Sequence, residues 1–229
     1  MFYWDPTYIL ILPGLLLALF AQMKVKSAFA RGQKLRSANG FTGEEAARRM
    51  LAMRGIYDVQ IESVRGKLSD HYDPTTKTLR LSNDVRYSDS VAAISVACHE
   101  AGHALQHAEG YGPLKLRTAS VPAVNIGSNL AWPIFVLGLI VSWQPLVEAG
   151  IWLFGLTVLF ALVTLPVEFN ASRRAMQSVA EAGILYPSEE GEAKSVLNAA
   201  AMTYVASAAM AILQLLRLLA IAGAGRRRD

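Results

Sequence analysis

His99-Glu100-Ala101-Gly102-His103 is the stretch on which the reading of this chain turns. It follows a run of small and apolar residues, Val91-Ala92-Ala93-Ile94-Ser95-Val96-Ala97-Cys98, whose pattern predicts a helix. On a helix, positions i and i+4 share one face, one turn apart. Two imidazoles placed that way can bind a single Zn²⁺. The carboxylate of Glu100, next to the first histidine, can then take a proton from water activated by the metal. The plain alternative for so short a pattern is a solvated helix with two surface histidines. Against it, three of the four histidines lie between positions 99 and 107, and the helix around them is apolar.

Outside this stretch the composition is that of a membrane protein. The chain has 229 residues, 53% of them hydrophobic, and a mean hydropathy of +0.30. Residues 6–23, 118–147, 149–167 and 195–216 contain no Asp, Glu, Lys or Arg. A membrane-spanning helix needs about 20 apolar residues, so three or four spans are expected, with about half the chain left for one small α+β domain. The flank Met1-Phe2-Tyr3-Trp4-Asp5 has no basic side chain, which argues against a cleaved signal peptide. Phe2, Tyr3, Trp4 and Tyr8 suit an interfacial aromatic belt. On the other side of the first apolar run stand Lys24, Lys26, Arg31, Lys34 and Arg36, which predict a cytoplasmic location from Lys24 onward and an outward-facing N-terminus.

The excess of basic residues, +4 overall, gathers at these boundaries and in the tail Arg226-Arg227-Arg228. Lipid headgroups account for it, and nucleic acid is not an expected partner. Cys98, the single cysteine, excludes an intrachain disulfide and reads as a small buried apolar residue.

The expected organisation is a transmembrane anchor over 1–23, a cytoplasmic domain over 24–117, a transmembrane helical hairpin over 118–167 joined between Trp143 and Gly150, a cytoplasmic helix over 168–194, and an apolar helix with a basic tail over 195–229. Within the second segment, Thr42 and Glu45 form a capping box for a helix that Gly55 stops. Val59 and Ile61 alternate with polar residues as in a half-buried strand, and Thr78 to Ser82 forms a second strand after the turn chemistry of residues 72–77. The strand at 78–82, just ahead of the metal-binding helix, is expected to offer a free edge to an extended peptide.

A catalytic zinc site normally has three protein ligands plus water. His107, at i+8 from His99, sits on a straight helix roughly 6 Å past His103, and Ala104-Leu105-Gln106 offers no glycine to turn the chain back. Glu168, directly after the third apolar run, is the stronger candidate, since a glutamate on a second helix completes a His₂Glu site. Position alone leaves it balanced against a simple role at the membrane boundary.

Three segments carry a family resemblance: Asp70-His71-Tyr72-Asp73-Pro74, His99 through His107, and Glu168-Phe169-Asn170-Ala171-Ser172-Arg173-Arg174-Ala175. Together they resemble the YugP-type membrane zinc metallopeptidases of bacteria, over most of the chain. The resemblance implies a zincin-like protease in the bacterial cell membrane, with His99, His103 and Glu168 as Zn²⁺ ligands and Glu100 as the catalytic base. A wider similarity reaches the membrane proteases that include HtpX and the CAAX prenyl endoprotease. Those proteins usually have an Asp four residues after the ligand Glu, where this chain has Ser172, so the carboxylate that would orient a ligand histidine is missing or supplied elsewhere.

The function expected is hydrolysis of peptide bonds in a membrane-associated protein or peptide, on the cytoplasmic side of a multi-pass protein. His71 and Tyr72 are candidate donors to the oxyanion, balanced against a role as turn residues in the hairpin. The competing function is a membrane scaffold that keeps a metalloprotease fold without activity; it gives no reason for Glu100. A zinc transporter would want ionisable groups inside the spans, and the first three apolar runs lack them.

Overall fold

The computed structural model describes residues 6–66 and 68–225. The expected aromatic belt at Phe2, Tyr3 and Trp4 and the tail Arg226-Arg227-Arg228 lie outside the described residues. A 3₁₀ turn at Pro6–Leu10 leads into α1 (Leu12–Lys34), followed by α2 (Gly43–Met53), β1 (Gln60–Val64), β2 (His71–Asp73), β3 (Thr78–Ser82), α3 (Asn83–Arg86), α4 (Val91–Ala108), α5 (Gly112–Ile140), α6 (Gln144–Glu181) and α7 (Pro187–Gly225). The chain is mostly helical, with one small sheet, and α1, α5, α6 and α7 are each long and apolar enough to cross a membrane.

The chain forms two compact units, Met1–Ala21 with Leu116–Leu165 and Thr203–Asp229, and Gln22–Lys115 with Pro166–Met202. In the first, helices approach closely at glycine. A Cβ on Gly150 would stand 2.7 Å from the Phe135 backbone, and one on Gly138 2.6 Å from Val147 N. Such contacts suit helices that associate in lipid by packing alone. The turn between α5 and α6 occupies residues 141–143, with Ser142 at φ 52°. It comes earlier than the expected joint, because α6 begins at Gln144. Arg217, only 6% exposed, donates to Thr7 Oγ1 at 3.0 Å and lies 3.8 Å from the Tyr8 ring centroid. An aromatic face thus covers the one charge in the C-terminal apolar stretch.

The second unit holds the α+β part. The capping box is present: Thr42 Oγ1 accepts from Glu45 N at 3.3 Å, and Glu45 Oε2 from Thr42 N at 2.8 Å. Past Met53 the chain turns through Gly55, whose φ of 69° suits a residue without Cβ. The sheet order is β1-β3-β2, with β1 parallel and β2 antiparallel to β3. The strand at 78–82 is therefore central, paired on both sides. That corrects the expected free edge, which belongs instead to β1 and β2. A strand buried on both faces is central by preference, and Thr78, Leu79, Leu81 and Ser82 are all buried.

The core gathers Met50 from α2, Leu79 and Leu81 from β3, Ile94 and Leu105 from α4, and Ile184 and Leu197 beyond the end of α6. Burying each such side chain stabilises by about 1.5–3 kcal/mol, and together they fix α4 between α2 and the sheet. Rather than starting a separate helix at Glu168, α6 runs unbroken from its apolar stretch through Pro166 to Glu181.

Candidate metal centre

Helix α4 starts on a Ser90 cap, whose hydroxyl accepts from Ala93 N at 3.2 Å, and runs continuously past His107. Unbroken winding puts His99 and His103 on one face, with ring centroids 4.9 Å apart and planes at 86°. What brings α6 to that face is Gly102. A Cβ there would sit 2.7 Å from Ala171 O and 3.3 Å from Ala171 Cα, so only glycine lets the two helices meet at this level.

Glu168, one turn before Ala171 and 1% exposed, is thereby held against the histidines. His99 Nε2 lies 3.2 Å from Glu168 Oε2, and His103 Nε2 lies 3.6 Å from the same oxygen. Ligand atoms of these three residues all fall within 4.8 Å of one another. The donor set fits zinc: two imidazoles and one carboxylate, the three protein ligands of a catalytic site. The other imidazole nitrogens are occupied. His99 Nδ1 is 3.1 Å from Ser172 Oγ, and His103 Nδ1 is 3.0 Å from Gln106 Oε1. With Nδ1 engaged, Nε2 is the nitrogen left for a metal. Ser172, one turn past Glu168 on α6, thus meets His99 through its hydroxyl.

Burial pushes the Glu100 carboxyl above the usual carboxylate range. The charges of Glu168 and Asp70 act the same way, and the His99 and His103 imidazoles oppose them. Burial by itself would lower the His103 imidazole, but its bond to Glu168 and the nearby Glu100 charge outweigh that and raise it. Cys98 is fully buried, and its thiol is pushed up to about 12 by burial, which makes it inert rather than nucleophilic.

The other candidates have partners of their own. His71, at the start of β2, is exposed, with Nδ1 2.7 Å from Ser69 O in the segment just before the strand. Tyr72 is half-buried, and its hydroxyl meets His107 Nδ1 at 2.9 Å. Burial is the main reason its pKa rises to about 12. His107 is outside the group of three that could hold a metal. Reasoning from sequence gave Gln106 and Asn170 no role and marked Ser172 only as the place where a carboxylate is missing. The available signal was helical spacing: Gln106 lies three residues past His103, and Ser172 four past Glu168.

Residues 7–223 match the family described as "Putative neutral zinc metallopeptidase". Among curated proteins the chain is similar to "Putative membrane protease YugP" of Bacillus subtilis (strain 168), 48% identical over 217 residues, covering 95% of this chain and 96% of that protein. No solved structure matches.

Proposed function

Because the chain belongs to the putative neutral zinc metallopeptidase family, we propose that it is an integral-membrane endopeptidase whose zinc is held by His99, His103 and Glu168 and whose general base is Glu100. The observation that carries this reading is the convergence of three ligand atoms within 4.8 Å, with both Nδ1 atoms already engaged by Ser172 and Gln106. Zinc, when bound, supplies a Lewis acid that brings the pKa of water to about 7 and polarises the scissile carbonyl. Glu100 takes the proton from the attacking water and returns it to the leaving amine. Ser172 and Gln106 hold the imidazoles in the orientation that presents Nε2. Tyr72, oriented by His107, serves as donor to the developing oxyanion; His71 is turned toward the segment just before its strand. The free edge of β2, the strand that packs on α4, offers an extended peptide a place to pair.

The protein sits in the bacterial cell membrane with four spans, and the basic run Lys24 to Arg36 keeps the metal-bearing unit on the cytoplasmic side. Its substrate is a membrane-associated protein or peptide. The test is a comparison of membrane proteomes from cells carrying wild type, Glu100→Gln or no protein. Fragments that appear only with wild type support the reading. Identical fragment patterns for wild type and Glu100→Gln contradict it.

A further inference from the structure

The inference concerns Gln106 and rests on the reading of the site as a zinc centre. Gln106 is fully buried, and all of its carboxamide is engaged. Oε1 faces His103 Nδ1 at 3.0 Å. Nε2 donates to Val167 O at 2.8 Å and to Asn170 Oδ1 at 2.9 Å. The orientation of a buried amide has to be inferred from its partners, and here the partners leave one choice. A backbone carbonyl only accepts, so the atom facing Val167 is the NH₂. Asn170 leads to the same answer: its Oδ1 also accepts from Arg174 Nε at 2.7 Å, and a guanidinium only donates. The carboxamide oxygen is thus forced toward His103. An oxygen there accepts, so Nδ1 carries the proton and Nε2 presents its lone pair toward Glu168. Val167 directly precedes Glu168, so the same side chain also sets the height of the third ligand against the histidine helix.

We propose that Gln106 is the positioning residue of the metal centre, coupling the tautomer of His103 to the placement of Glu168 through one buried carboxamide. Ser172 plays a looser part at His99, because a hydroxyl both donates and accepts and imposes no tautomer. The two ligand histidines therefore differ: His103 is locked and His99 is adjustable.

The experiment uses the full chain in detergent micelles, with zinc affinity measured by chelator competition and the Co²⁺ spectrum as a report on ligand geometry. Gln106→Met, of similar size and without the amide, should weaken zinc binding about 10–100-fold, the usual effect of losing a partner of a ligand histidine, and should change the Co²⁺ spectrum. Asn170→Ala removes one acceptor of the tie between helices but leaves Val167 O and His103 in place. It should bind zinc within about threefold of wild type. Gln106→Glu keeps an oxygen toward Nδ1 but sets a second oxygen, in place of a donor, against Val167 O and Asn170 Oδ1, so it breaks the tie to Glu168 and should also weaken zinc binding.

A fourth readout needs no variant. The Nδ1 proton of His103 in the zinc-loaded wild type should be protected from solvent exchange. Wild-type affinity in Gln106→Met or in Gln106→Glu, equal losses in Gln106→Met and Asn170→Ala, or rapid exchange at Nδ1 would each overturn the proposal. Failure of wild type itself to bind zinc would overturn the underlying reading instead.

Discussion

Gly102→Ala tests how the metal site is assembled, because the substitution adds one carbon at the point where α4 and α6 touch. The new Cβ would lie 2.7 Å from Ala171 O, where ordinary contact begins at 3.4 Å. The helices must therefore separate locally by about 0.7 Å, since the obstacle is backbone and cannot rotate away. Alanine is favoured over glycine in a helix by about 1 kcal/mol, and overpacking costs about 1–3 kcal/mol. The net loss of stability is thus small, at most about 2 kcal/mol. The effect on the metal site is larger. Ligand distances must hold to about 0.2 Å, and Glu168 lies one turn from the displaced carbonyl. Zinc affinity should fall at least about tenfold, with the thermal midpoint lowered by only a few degrees. Chelator competition and thermal unfolding in the same detergent measure both. Wild-type zinc affinity in a folded Gly102→Ala protein would refute the claim that this contact places the third ligand.

Three further outcomes follow from the geometry. Glu168→Ala should lose most bound zinc, because one of three ligands is gone, whereas His107→Ala should retain it; metal analysis of the two purified variants separates a His₂Glu from a His₃ site. Tyr72→Phe should keep zinc and lower kcat by about 10²-fold or more, as loss of an oxyanion donor does, which a turnover assay on the folded variant checks. Cys98, buried and with its thiol raised to about 12, should resist alkylation at pH 8 in the native protein and react at the ordinary rate once unfolded.

Much of this architecture was legible in the sequence because its signals are local. The capping box at Thr42 and Glu45, the turn before Thr78 and the apolar runs each depend on residues a few positions apart. What the sequence hid depends on partners distant along the chain. Strand order is one example: the alternation at 78–82 reveals a strand but not that it lies between β1 and β2. The unbroken course of α6 through Pro166 is another, since proline usually marks a boundary in water but is tolerated inside helices packed in a membrane. At the site, two histidines four residues apart announce themselves. Ser172 and Gln106 do not, because a serine or glutamine gains its meaning only when a histidine from 73 residues away, or one turn of its own helix, is seen beside it. Gly102 reads as a helix-weakening residue until Ala171 is seen against it.

The central claim is that His99, His103 and Glu168 hold a catalytic zinc beside the base Glu100. Its most direct test is turnover of a peptide substrate per mole of bound zinc, in purified wild type and Glu100→Gln. The account predicts one zinc per chain in both proteins and cleavage at least about 10²-fold slower in Glu100→Gln, since the base is removed and the ligands stay. Equal turnover in the two proteins, or a wild type that cleaves equally well after its zinc is stripped, would contradict it.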